Sequence, residues 1–63
     1  MKKYYEVNTV DTFWRQILTS NTFDDYKAAQ EFYDSIGDDE KKELVLVDEN
    51  NNHLKYLECN FKW

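Results

Sequence analysis

A single α+β domain of ββαββ order, with one helix packed on one face of a four-stranded antiparallel sheet, is the fold class predicted by the 63 residues. Three observations carry it. Short runs rich in aromatic and β-branched residues lie on both sides of residues 23–36, as strands require. Residues 23–36 themselves repeat apolar side chains at helical spacing. The chain has one Gly and no Pro, which excludes linker, collagen-like and low-complexity readings. Hydrophobic residues at 41% and aromatics at 17% support a compact core over residues 1–63. A domain of this size hides only about 60% of its unfolded surface, so its stability margin is thin.

The elements follow in order. Tyr4–Val10 reads as the first strand, and Asp11-Thr12 as a tight connection. Residues 13–19 fit two patterns. As a strand, Phe13, Arg15 and Ile17 share one side and Trp14, Gln16 and Leu18 the other; as a helix, Phe13, Trp14, Ile17 and Leu18 share a face. Seven residues between polar breaks make a short helix, so the strand is preferred. Phe23-Asp24-Asp25-Tyr26 opens a helix of about fourteen residues, with Thr22 or Asp24 as its cap. Tyr26, Ala29, Phe32, Tyr33 and Ile36 form its apolar stripe, and Gly37 supplies a left-handed exit. After a charged loop, Asp38–Lys42, two further strands (43–48 and 53–61) are joined by Glu49-Asn50-Asn51-Asn52. Asparagine accepts positive φ better than most residues, which suits a hairpin turn.

The last three strands are apolar on both sides. Leu44 and Leu46 oppose Val45 and Val47; Leu57, Cys59 and Phe61 oppose Leu54 and Tyr56. A strand wetted on one side should alternate apolar with polar. The second sheet face therefore expects a cover: another copy of the chain, a partner protein, or Phe61-Lys62-Trp63 folding back. Trp14, Leu18, Leu54 and Tyr56 are the residues assigned to such a self-association or partner face.

Charge is distributed unevenly. Residues 24–49 hold ten acids against three lysines, a net −7, while the rest of the chain carries +2, for a total of −5. Asp24, Glu31 and Asp38 are seven apart, and Asp34 lies close behind Glu31, so a helix would align carboxylates along an outward edge, successive heptad members about 10 Å apart. With Asp39 and Glu40 these form a candidate partner-binding edge. It repels duplex nucleic acid and attracts basic surfaces. A solvated helix face followed by a charged loop accounts for the same charges.

No pattern points to catalysis, a cofactor or a metal. Cys59 and His53 form the only nucleophile–base pair, yet six residues along one strand hold them about 20 Å apart. Asp48-x-Asn50-x-Asn52 imitates the start of an EF-hand loop, but His53 and Cys59 stand where that loop needs its glycine and bidentate glutamate. One glycine cannot build a phosphate-cradling loop. No apolar run approaches the roughly 20 residues of a membrane span. The N-terminus lacks a signal peptide's apolar stretch, and one cysteine makes no internal disulfide, so a cytoplasmic location is expected.

Size, acidity and an Asn/Lys/Tyr-rich composition make the chain similar in kind to small acidic inhibitors encoded by phages and mobile elements, which imitate DNA phosphates. No motif assigns it to a family. The expected function is thus a non-enzymatic protein-interaction module binding a basic, nucleic-acid-binding surface. A homodimer held by the aromatic face is the alternative. A weak single-stranded nucleic-acid binder, using strand aromatics with Lys2, Lys3, Arg15, Lys55 and Lys62, ranks third.

Overall fold

The computed structural model describes residues 2–62. It contains β1 (Lys3–Asp11), β2 (Gln16–Phe23), α1 (Tyr26–Ser35), β3 (Lys42–Asp48) and β4 (His53–Cys59), the ββαββ order expected. Every pairing is antiparallel and the sheet order is β2-β1-β3-β4. β1 and β3 are therefore central and largely buried, and β2 and β4 are exposed edges. The core forms where Ala29 and Tyr33 of α1 meet Val7 and Leu44, with Tyr5, Phe23, Phe32, Ile36 and Leu57 around them. Among the described residues no helix is long and apolar enough to cross a membrane.

Residues 13–19 do contain a strand, but it begins later than the sequence suggests. Thr12–Arg15 forms a turn in which the Asp11 carboxylate accepts the amides of Phe13 and Trp14 at 2.9 and 3.2 Å, and Arg15 closes it at φ 55°. Trp14 thus sits at a hairpin tip, not on a strand face. Pairing then runs Val10–Ile17 and Thr9–Thr19, which leaves Leu18 as a bulge.

Because β2 continues to Phe23, opposite Tyr5, Thr22 is a strand residue and cannot cap the helix. Asp25 does so instead, accepting the amide of Ala28 at 3.3 Å. The helix has ten residues, so Asp24 and Asp38 fall outside it and the heptad row does not exist as a row. Nor does Gly37 turn left-handed: no glycine has positive φ, and the chain leaves through Ile36 in extended conformation. The reason lies further along. Lys42, only 4% exposed, returns its ammonium to the helix end, donating to the carbonyls of Tyr33 at 2.9 Å and Ile36 at 2.8 Å. It also stands 4.4 Å from the Tyr33 ring centroid and 3.6 Å from Asp38. A cation at the negative end of the helix dipole does the work expected of a left-handed glycine.

The asparagine turn behaves as expected, with Asn51 at φ 67°. Asp48 organises it. Its carboxylate accepts the backbone amides of Asn50 and Asn52, both at 2.9 Å, and the Asn52 side chain at 3.0 Å. The Asp48-x-Asn50-x-Asn52 spacing is therefore a turn-forming one, its carboxylate filled by amide donors. The donors from Asn52, then Asn50, hold the Asp48 carboxyl below its ordinary value. A lowered folded value adds stability above the ordinary carboxylate range and loses it as pH falls through the folded value. Acidification below about pH 4 should lower the melting temperature of the wild type more steeply than that of Asp48→Asn. Parallel acid limbs in the two proteins would show that Asp48 is not the source.

Candidate functional site

The sheet face opposite α1 concentrates the ionisable chemistry. On β1, Glu6 and Asn8 point away from the helix, alternating with the core residue Val7. Glu43 does the same on β3. The Asn8 amide donates to Glu6 Oε1 and to Glu43 Oε2, both at 2.8 Å. The three side chains are buried, at 0%, 4% and 1% exposure for Asn8, Glu6 and Glu43. Two acceptors in this cluster, Asn8 Oδ1 and Glu43 Oε1, find no donor among the described residues.

From β4, His53 reaches over β3 to place Nε2 at 3.3 Å from Glu6 Oε1, while its Nδ1 lies 3.2 Å from the Tyr56 hydroxyl. The two rings meet edge to face at 5.8 Å. With its proton on Nε2, the imidazole donates to Glu6 and accepts from Tyr56. This pair bridges above Val45 and Val47, which are 0% and 1% exposed. A single chain therefore buries the centre of its second face, where the strand pattern called for a separate cover. Trp63, at the end of one cover that the sequence suggested, lies outside the described residues.

Carboxylate, imidazole and hydroxyl in a line resemble a nucleophile-activating relay, but the electrostatics oppose that use. Burial, followed by the charges of Glu43, Cys59 and Glu6, raises the Tyr56 phenol above its ordinary value. An activated nucleophile needs the reverse shift. A cleft of about 260 Å³ lies elsewhere, between the β2 bulge and the acidic loop, lined by Thr9, Val10, Leu18, Asp39, Glu40 and Lys41. Among the described residues no group of three or more His, Cys, Asp or Glu side chains is placed to hold a metal.

The acidic residues form a second surface. Asp24 precedes the cap, Glu31 and Asp34 project from α1, and Asp38, Asp39 and Glu40 occupy the loop after it; all are exposed. Gln30 donates to Asp34 at 3.1 Å, and the Glu40 carbonyl accepts the Asn60 side chain at 2.8 Å, which ties the loop to the end of β4. Lys42 offsets one carboxylate of this layer from inside the helix terminus, where its ammonium stands 3.6 Å from Asp38.

The residues assigned to one aromatic face are instead divided between the two edges. Trp14, 70% exposed and in edge-to-face contact with Phe13, and Leu18 belong to the β1–β2 hairpin. Leu54 and Tyr56 belong to β4, three strand spacings or about 14 Å away. Two bulges in β4 also break its alternation. Leu57 joins the helix-side core while Cys59 pairs with Glu43 on the other side, so these two do not share a face. Lys55 lies opposite Leu46, whereas Tyr56 lies opposite Val45, so these two neighbours on β4 are on different faces.

Glu6, Asn8, Glu43, His53 and Tyr56 are brought together from three strands, and nothing in the linear pattern joins them. The one legible signal is Glu6 and Asn8 holding same-side positions between Tyr4 and Val10, a polar pair where a central strand would be apolar. The chain matches no protein-family model, no curated protein and no solved structure.

Proposed function

We propose that this protein is a non-enzymatic interaction module that presents its acidic helix-and-loop layer to the basic, nucleic-acid-binding surface of a protein partner. One observation carries the reading. Over residues 24–41 all seven carboxylates are exposed against two exposed lysines, while Lys42 is withdrawn from the surface. With the Lys42 ammonium counted against Asp38, 3.6 Å away, the layer keeps a net charge of −4. Such a layer accelerates encounter with a basic surface and competes with phosphates for it, in the manner of the small phage and mobile-element inhibitors that the chain resembles in size and charge.

Reversing two carboxylates tests the reading. Glu31→Lys with Asp34→Lys should leave the circular dichroism unchanged, because both side chains are exposed. Protein partners captured from a cell lysate by the wild type should be lost, with binding weaker by at least about tenfold. Added duplex DNA should release those same partners. Capture indifferent to both the reversal and the duplex would sink the proposal.

A second reading, self-association, is favoured by one specific observation: β2 is an exposed edge strand carrying no charged residue.

A further inference from the structure

The two edges of the sheet differ in how they are protected. β4 has Lys55, Glu58 and two bulges, the usual devices that keep a sheet edge from pairing. β2 reads Gln-Ile-Leu-Thr-Ser-Asn-Thr-Phe and has one bulge and no charge, in a chain that is 33% charged. Seven of its eight residues are exposed, with Ile17 at 47% and Leu18 at 58%. An open, uncharged edge of this kind accepts another strand through its free main-chain donors and acceptors.

We infer that β2 pairs antiparallel with β2 of a second copy of this chain, forming a continuous eight-stranded sheet about a two-fold axis. The register follows from the strand itself. Directly opposed residues of an antiparallel pair must point to the same face. Counting the bulged Ile17–Leu18 as one position, β2 has seven positions and Ser20 is the middle one. Pairing about Ser20 sets Thr19 against Asn21, Ile17 against Thr22, and Gln16 against Phe23, each pair on one face. The next position outward sets Arg15 of each copy against Asp24 of the other.

That pairing meets a condition the strand was not chosen for. Arg15 is the only base bordering β2 at one end, and Asp24–Asp25 border it at the other. Antiparallel association brings opposite charges together at both ends. Parallel association would bring Arg15 against Arg15 and aspartates against aspartates, so the flanking charges select the closed two-fold dimer over other alignments. It also turns the exposed aromatic tip, Phe13 and Trp14, towards the start of the partner's helix, where Tyr26 remains 45% exposed.

The axis stands perpendicular to the sheet, so both helices lie on the same side. Two acidic layers of −4 then form one surface, and β4 provides both outer edges. A partner with an extended basic groove would meet two binding layers at fixed spacing, which raises avidity without a new contact.

Light scattering across a tenfold dilution tests the inference, with Arg15→Asp, Arg15→Asp/Asp24→Arg, Leu18→Lys and Tyr56→Glu beside the wild type. Aspartate tolerates the left-handed backbone of position 15, and Leu18 is exposed, so these variants keep the fold. The expected wild-type mass is twice 7.7 kDa. Arg15→Asp and Leu18→Lys should each weaken the dimer by at least about tenfold, and the charge swap should restore it. A monomer at every dilution overturns the inference. So does a dimer that ignores Arg15→Asp and Leu18→Lys, or one dissociated by Tyr56→Glu alone. The Glu31→Lys/Asp34→Lys variant should dimerise normally, which separates this result from the fate of the acidic-layer proposal.

Discussion

Asn8→Leu should destabilise the protein by about 3 kcal/mol or more, the largest loss expected from any single exposed or buried polar residue. Its amide is the one donor shared by two buried carboxylates, at 2.8 Å to each. Without it, Glu6 keeps His53 as a neighbour, but Glu43 loses the donor at its Oε2 while remaining 1% exposed. A buried carboxylate without a donor costs far more than the hydrogen bond it once made. A 63-residue domain has only about 3–9 kcal/mol to lose, so much of the population would be unfolded at physiological temperature.

The same cluster predicts a gain in the opposite direction. Glu43→Gln keeps the side chain's shape and retains an oxygen for the Asn8 amide. Its new NH₂ stands where Oε1 had no donor, and Asn8 Oδ1 is a free acceptor in the same cluster. The substitution removes one orphaned acceptor and a buried charge, and adds a donor to a cluster in which Asn8 Oδ1 lacks one. The expected stabilisation is about 1 kcal/mol, read from urea midpoints at neutral pH. A Glu43→Gln protein less stable than the wild type would show that the carboxylate is satisfied from outside the cluster.

Lys42→Met should cost about 2–3 kcal/mol. Methionine preserves the apolar stem beside Tyr33 but removes the ammonium that serves two helix-terminal carbonyls. The Tyr33 carbonyl also accepts the Ile36 amide at 3.2 Å, so the Ile36 carbonyl bears most of the loss. Fraying should begin at Tyr33–Ile36 and appear as faster amide exchange there, before any change in β1 or β3. An unchanged midpoint together with unchanged exchange would mean that water replaces the ammonium, and that the helix end needs no internal cation.

These two sites show where reading along the chain stops. Strand and helix signals are local: β-branched runs, a helical stripe at Tyr26, Ala29, Tyr33 and Ile36, and asparagines where the hairpin turns. Lys42 carries no local mark of its role. It follows four charged residues and reads as part of a charged loop, because the carbonyls it serves lie six and nine positions earlier on a helix whose end only packing defines. The sequence pattern makes the helix longer than it is for a related reason. Thr22 and Asp24 both suit a cap, and only the pairing of Phe23 with Tyr5 shows that the strand still runs at Phe23 and leaves the cap to Asp25. Strict alternation puts Trp14 and Leu18 on one face, and one turn and one bulge displace them from it.

Element order, the α+β class, the apolar character of both sides of β3 and the concentration of negative charge in residues 24–49 are all legible along the chain. Each depends on neighbours within a few positions, where propensity and periodicity act. The tertiary structure alone decided that β1 and β3 lie at the centre, that β2 is an uncharged edge, and that Glu6, Asn8, Glu43, His53 and Tyr56 meet on one face. Those outcomes depend on pairing between strand residues up to 45 positions apart, Lys3 with Asp48, and on bulges that shift parity by one. A one-residue shift carries every later side chain of the strand to the other face, so no local rule can anticipate which residues meet.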